Sequence, residues 1–200
     1  MGQRRQDHYA REAQDKGFPA RSVFKLEEMN RKHALFRPGM RVLDLGAAPG
    51  SWSMYLMRLV GAGGSVVAVD LQDLQVTVGP ADRFTFIRGD FTEDAIADNL
   101  ASRGPFSAVV SDAAPSTTGT RSLDTARSAA LVESILYRLP QWLEPGGLVI
   151  CKLFQGGEEQ QLLAAVRKAF VAGRMFRPPA VRKESFEVYL VGTGYRGTGQ

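Results

Sequence analysis

Acids and a lysine stand where apolar runs end in this chain, and chemistry is expected there first. The run Val42-Leu43-Asp44-Leu45-Gly46-Ala47-Ala48-Pro49-Gly50 leads into a glycine turn, and Val66-Val67-Ala68-Val69-Asp70 then closes on a carboxylate. A buried strand, a glycine loop, a helix and a second strand ending on an acid form the grip of an open parallel sheet on an adenosine-containing cofactor. Gly46 and Gly50 would let the backbone approach the ligand, and Asp70 would accept hydrogen bonds from ribose hydroxyls. The dinucleotide fingerprint G-x-G-x-x-G is absent; the spacing is G-x-x-x-G with Asp44 two residues ahead. A pyrophosphate needs the missing glycine and an open helix N-terminus. S-adenosylmethionine has no phosphate and carries a sulfonium cation, which Asp44 favours. The loop therefore reads as a methyl-donor site, and an NAD-dependent oxidoreductase is disfavoured.

Two more groups interrupt apolar strands near their exits: Asp112 in Val109-Val110-Ser111-Asp112-Ala113-Ala114-Pro115, and Lys152 in Val149-Ile150-Cys151-Lys152-Leu153-Phe154. With Asp70 and Asp90 they recur at equivalent strand ends. Ionisable groups buried there cost desolvation energy unless a partner or ligand compensates. A blander reading stands beside this one: Asp112 caps the next loop, and Lys152 snorkels to solvent or pairs with Asp112 for stability. Cys151 points to the opposite face from Lys152 and reads as core. Trp52 either packs a helix onto the sheet or lines the cofactor pocket. Tyr9 and Phe18 either stack on an RNA base or pack helices.

The elements that must position these groups alternate between helix and strand. Helices are expected at 7–16 and 20–33, broken by Gly17-Phe18-Pro19, and then over Trp52 to Val60, Thr92 to Ala101, Leu123 to Leu143 with a break at Pro140, and Glu158 to Phe170. Strands are expected over Arg41 to Leu45, Ser65 to Asp70, Phe84 to Arg88, Ala108 to Asp112 and Gly147 to Leu153, with two more near Met175 and at Phe186 to Val191. Continuous apolar runs mark strands buried on both faces. The fold class is α/β: a Rossmann-like, mostly parallel seven-stranded sheet with one antiparallel strand and helices on both faces, the closing pair of strands making one antiparallel edge. It is expected to be a single domain over 1–200, with residues 1–40 a basic helical extension and 192–200 a frayed tail.

Bulk properties narrow the function classes. The chain has 200 residues, 44% hydrophobic and 23% charged, which suits one soluble domain with a real core. Cys151 is its single cysteine, so no intramolecular disulfide or cysteine-cluster zinc site forms, and a reducing cytoplasm is expected. With only His8 and His33 besides, no metal centre is expected. Neither a signal core nor a membrane-length apolar run is present. The net charge of +4 is unevenly spread: residues 1–41 hold ten Lys/Arg against five Asp/Glu, and residues 71–144 hold six against ten. Residues 167–183 carry Arg167, Lys168, Arg174, Arg177, Arg182 and Lys183 with no acid. Two basic blocks flanking a cofactor domain suggest a polyanion partner, most commonly nucleic acid.

At this level of detail the chain resembles the RrmJ/FtsJ family of RNA ribose 2′-O-methyltransferases over nearly its whole length. The segments that carry the resemblance are Ala20-Arg21-Ser22-Val23-Phe24-Lys25-Leu26, Leu35-Phe36-Arg37-Pro38-Gly39-Met40, Asp44 to Ser53, Gly89-Asp90-Phe91, Ser111 to Pro115, Cys151-Lys152-Leu153-Phe154 and Glu187-Val188-Tyr189-Leu190-Val191. The resemblance implies a catalytic tetrad of Lys25, Asp112, Lys152 and Glu187, and S-adenosyl-L-methionine held by Gly50, Trp52, Asp70, Asp90 and Asp112. It further implies methyl transfer to a uridine ribose 2′-hydroxyl in 23S rRNA of the large ribosomal subunit, by a cytoplasmic monomer with no obligate protein partner. Lys152 would be the base that takes the hydroxyl proton, with Lys25 favouring its neutral form and Asp112 fixing its orientation. Where the family has a second glycine this chain has Ser51, so a weaker or shifted cofactor contact is expected. Glu184 lies close to Glu187, but strand alternation favours Glu187, on one face with Tyr189 and Val191. A transfer RNA anticodon-loop or messenger RNA cap enzyme is the alternative within the class. A non-catalytic RNA-binding module is the alternative outside it, disfavoured by the complete tetrad.

Overall fold

Strands that are apolar at every position must be covered on both sides, and this requirement organises the molecule. In the computed structural model, residues 2–182 and 185–197 are described, with side chains from His8 onward; Lys183 and Glu184 lie outside the described residues. The elements run α1 (Gly2–Asp15), α2 (Val23–His33), β1 (Arg41–Leu45), α3 (Ser51–Val60), β2 (Ser65–Asp70), β3 (Phe84–Arg88) and α4 (Asp94–Arg103). They continue with β4 (Phe106–Ser111), α5 (Arg121–Trp142), β5 (Leu143–Phe154), α6 (Glu159–Ala169), β6 (Phe170–Phe176) and β7 (Glu187–Tyr195). The seven strands form one sheet in the order β3-β2-β1-β4-β5-β7-β6. β1 to β5 pair in parallel, and β7 runs antiparallel to both β5 and β6.

The two faces bury different residues of the same strands. Leu43, Val67, Val109, Val149, Cys151 and Leu190 meet Leu100, Val132, Ile135, Leu139 and Val166 from α4, α5 and α6. Val42, Val66, Val110, Ile150, Tyr189 and Val191 meet Leu26, Met29, Trp52, Leu56 and Val60 from α2 and α3. At about 25 cal/mol per Å² of apolar surface, these two layers supply the main driving force for folding. A third cluster of Ala13, Phe18, Val23, Phe24 and Ala180 seats α1 against α2. Phe18 is buried, and Tyr9 packs on Phe24 with ring centres 5.3 Å apart, so both aromatic residues serve helix packing. Among the described residues, no helix is long and apolar enough to cross a membrane.

The closing pair forms the antiparallel edge of the sheet, with β7 inserted between β5 and β6 and Tyr189, Leu190 and Val191 buried on both faces as an interior strand requires. Two expectations need correction. Pro140 does not break α5, which continues to Trp142. Leu139 and Trp142 are fully buried there, and the Trp142 indole N–H donates to the Ala97 carbonyl at 3.1 Å. That packing outweighs the hydrogen bond a helical proline forfeits. Finally, residues 192–195 are not frayed but continue β7, where Gly192 and Thr193 pair with both neighbouring strands; residues 198–200 lie outside the described residues. Smaller shifts occur at α4, which starts at Asp94, and at β5, which starts at Leu143 through an irregular register opposite Phe106 and Ala108.

Candidate active site

The carboxyl ends of β1 to β4 open onto a cavity of about 700 Å³. Asp70, Asp90 and Asp112 line it, together with Gly46, Ala48 and Phe91. Asp70 is held by its own loop and the neighbouring one: Oδ1 accepts the Gln72 N–H at 2.8 Å and Oδ2 the Ala48 N–H at 2.9 Å. Asp90 is fixed in the same local way, its Oδ1 accepting the Thr92 N–H at 2.8 Å and the Thr92 hydroxyl at 2.7 Å. Side chains that accept from the amide two residues on are the short-range devices by which Asp shapes turns. The opposite wall comes from α5, with Arg127, Ala130, Leu131 and Ser134. No residue type or spacing in α5 marked these four beforehand, because they face the cavity only once the helix docks.

Gly46, which lines the cavity, and Gly50 both adopt positive φ. Gly46 has φ +76°, and a Cβ there would lie 2.6 Å from the Ala113 Cα, so this glycine lets the loop after β1 touch the loop after β4. Gly50 has φ +114° and faces the Val76 side chain. Gly50 and Trp52 do not line the cavity. Trp52 is buried beneath α2, its indole N–H donating to the Ser22 carbonyl at 2.9 Å and its ring 5.9 Å from that of Tyr189. Ser51 is turned away too: its hydroxyl accepts the Ala20 N–H at 2.8 Å and donates to the Ala20 carbonyl at 3.1 Å, tying the chain before α2 to the start of α3. Asp44 is fully buried below the loop and outside the cavity lining, with Oδ2 accepting from Ser53 at 2.6 Å and Oδ1 unpartnered. Burial pushes its carboxyl up to about 7, with the nearby Asp112 and Asp70 charges adding to the rise and the Ser53 bond opposing it.

Beside the cavity, four distant segments bring Lys25, Asp112, Lys152 and Glu187 together. Lys152 and Glu187 project toward α2 because residues two apart on a strand share a face, and Ile150, Tyr189 and Val191 lie on that side. β7 runs antiparallel, so its first residue, Glu187, lies at the same sheet end as the exits of β4 and β5. Lys152 Nζ stands 3.3 Å from Asp112 Oδ1 and also donates to the Asp112 main-chain carbonyl. Lys25 Nζ lies 2.5 Å from Glu187 Oε1. All four side chains are only 10–15% exposed, so the two pairs interact in a partly dehydrated setting where Coulomb forces are strong.

Tyr189 joins the pairs, a member that motif reading overlooked. It sits opposite Lys152 in the β5–β7 register, and its hydroxyl donates to Asp112 Oδ1 at 2.6 Å. Strand alternation from Glu187 was the signal that could have found it. Burial first, and then the Asp112 and Glu187 charges, pushes the phenol well above its ordinary value, so it remains a donor. Burial would raise the Asp112 carboxyl, but Lys152, Lys25 and the bonds from Tyr189 and Lys152 outweigh it and hold the group below the usual carboxylate range. Asp112 is therefore an anion that belongs both to the cavity wall and to the charged cluster.

A cavity fringed by carboxylates, joined through one anion to a dehydrated lysine, suits transfer from a bound donor to an adjacent acceptor. A family model described as FtsJ-like methyltransferase matches residues 18–195. The chain belongs to that family. It is 47% identical over 191 residues to ribosomal RNA large subunit methyltransferase E of Treponema denticola, covering 96% of each chain. It is 41% identical to the protein of the same name from Methanothermobacter thermautotrophicus, covering 98% of this chain and 93% of that one. Among solved structures it is similar to one from Plasmodium falciparum described as a ribosomal RNA methyltransferase, with TM-score 0.79, 24% identity, and coverage of 90% of this chain and 100% of the other. It shares its fold with Aeropyrum pernix fibrillarin bound to S-adenosyl-L-methionine, with TM-score 0.62, 13% identity, and coverage of 86% and 73%. The cavity fits the same donor: two acids for polar groups, apolar Phe91 and Leu131 for a ring, and Asp112 toward the acceptor side.

Proposed function

We propose that this chain transfers a methyl group from S-adenosylmethionine to the ribose 2′-hydroxyl of a uridine in 23S rRNA of the large ribosomal subunit. The observation that carries the reading is Asp112, which lines the donor cavity and ion-pairs with Lys152 at 3.3 Å. When bound, S-adenosylmethionine supplies a methyl on a sulfonium, already activated for displacement. A ribose alcohol is a poor nucleophile while protonated, so a placed base must take its proton as it attacks. Lys152 Nζ takes that proton in its neutral amine form, having first released the proton of its ammonium state to solvent. Asp112 and, through it, Tyr189 fix where the amine points. Lys25 and Glu187 hold the hydroxyl and the neighbouring phosphate in line with the cavity. Asp70 and Asp90 hold the donor. Correct alignment supplies much of the rate, because the leaving group needs little help.

The relatives' shared name supports ribosomal RNA as the substrate, and the basic residues near the cluster, Arg21, Arg177 and Arg182 among them, suit a phosphate backbone. Cys151 is a buried free thiol, which suits a reducing compartment such as the cytoplasm. The test is transfer of labelled methyl to large ribosomal subunits purified from cells lacking this protein, beside free rRNA, bulk transfer RNA and capped messenger RNA. Label at a ribose of the subunit RNA is expected. Label confined to transfer RNA or caps would overturn the substrate and keep the chemistry.

A further inference from the structure

Two partly exposed aromatic rings stand at the acceptor side of the cluster, and methyl transfer does not use either. Phe154 lies two residues beyond Lys152 on β5 and pairs in register with Glu187. Phe186 immediately precedes Glu187, and the two rings meet edge to face with centres 4.9 Å apart. The Arg121 guanidinium, at the start of α5, layers over Phe186 at 5.1 Å from the ring centre. Three separate elements thus deliver two rings and a planar cation to one spot, all beside the tetrad. Arg121 is exposed and makes no ion pair among the described residues. An arginine layered on an aromatic ring, with no acid to satisfy it, presents a flat cationic surface.

We propose that Phe154, Phe186 and Arg121 form the stacking platform for the base of the nucleotide whose ribose is methylated. This rests on the ribose reading of the site. Single-stranded RNA is recognised through bases splayed out of their stack onto aromatic rings and arginine planes. Two residues along a strand span about 6.6 Å, so a ribose hydroxyl at Lys152 places its base in the neighbourhood of Phe154. Described residues on either side of Phe186 are tied down. Arg177 donates to the carbonyls of Arg182 at 3.1 Å, Ser185 at 2.5 Å and Glu187 at 3.2 Å, while the Ala180 N–H donates to Glu28 at 2.8 Å and Arg21 donates to the Ala180 carbonyl at 2.7 Å. Bonds to Ser185 and Glu187, the two neighbours of Phe186, favour a ring that is already in place when the base arrives. Arg174, Arg177 and Arg182 add basic charge on the same stretch of chain, in keeping with a polyanion.

Plain packing of this segment on α5 would need the same rings, so the test separates bulk from aromaticity. Phe186→Leu keeps an apolar side chain, and Phe186→Trp keeps a π face. With S-adenosylmethionine saturating, kcat/KM for unmethylated large subunits should fall about tenfold or more in Phe186→Leu, the range of one lost base stack. Phe186→Trp should retain most of the rate, and Arg121→Gln should fall in the same direction as Phe186→Leu. Donor affinity and melting temperature should stay at the wild-type level in all three. Equal rates for Phe186→Leu and wild type, or equal damage in the Leu and Trp variants, would overturn the platform while leaving the ribose reading intact. A wild-type protein that places no label on a ribose would overturn both.

Discussion

The donor cavity and the charged cluster beside it are built on opposite plans. In the cavity, Asp70 and Asp90 are positioned by bonds to amides two residues on, and only the Ala48 contact reaches Asp70 from another loop. In the cluster, no member is positioned by its own neighbours. Lys25 comes from α2, Asp112 from the exit of β4, Lys152 from β5 and Glu187 from β7, and the contacts that join them span most of the chain. The acids of the first site are set by their own loops, while α5 adds a wall once it docks. The second exists only when α2 has docked and β7 has inserted between β5 and β6. The acids that hold a ligand can therefore be placed locally while the chemistry next to them depends on the complete fold.

The sharpest way to break this contrast is to cut the cluster and ask whether the cavity notices. Lys25→Met alone leaves Glu187 without its ion pair at a nearly buried site, and removing one partner of such a pair costs about 3 kcal/mol. Methyl transfer should drop at least tenfold, while donor affinity measured by calorimetry stays unchanged. The double variant Lys25→Met/Glu187→Gln should recover most of the stability and none of the activity. Recovery of both would show that the pair serves folding alone.

Acid–base behaviour gives a second handle, this time beneath the cavity. Asp44 keeps its proton up to about 7 in the folded protein but only to its ordinary value, 3.8, when unfolded. As pH rises from about 4 to about 7 the unfolded chain releases this proton first, so stability that is fully present below pH 4 is progressively lost. The shift corresponds to roughly 4 kcal/mol across that window. Asp44→Asn should flatten this part of the stability curve in denaturant titrations at several pH values. A slope identical to wild type would mean that Asp44 ionises normally in its buried place.

The smallest effect concerns the local half itself. Asp70→Asn removes the charge and one of two acceptors that hold Ala48 and Gln72, and it should raise KM for the donor about tenfold, in line with a hydrogen bond to a charged group. The maximal rate on ribosomal subunits should hold. A fall in kcat at unchanged donor KM would place Asp70 with the cluster and erase the distinction between the two halves.

The same contrast explains what could be read from sequence. β1 and β2 were legible to the residue because Val66–Val69 is an unbroken apolar run, Val42–Leu45 is one broken only by Asp44, and glycine or acid stands at their ends. Asp70, Asp90 and Asp112 were legible as cavity residues because each stands at a strand exit. The closing pair was legible as an antiparallel edge, and Val188 to Val191, apolar at every position, demand the cover on both faces that β7 has between β5 and β6. Pro140 was overweighted because its local cost is visible in sequence, whereas the burial of Trp142 is not. Gly50 and Trp52 were assigned to the donor by resemblance alone, and nothing local in the sequence shows that the Trp52 indole bonds Ser22 under α2. Tyr189, Arg127 and Ser134 acquire their roles only through register and helix docking, which carry no local mark.

One measurement bears on the central claim, that a methyl is passed from the cavity to a hydroxyl whose proton Lys152 removes. Donor binding and single-turnover transfer to unmethylated large subunits would be measured on the same preparations of wild type and Lys152→Ala. Transfer should fall by about 10²–10⁴-fold, the loss typical of a general base, with donor affinity unchanged. A Lys152→Ala protein that methylates ribose at the wild-type rate would contradict the account.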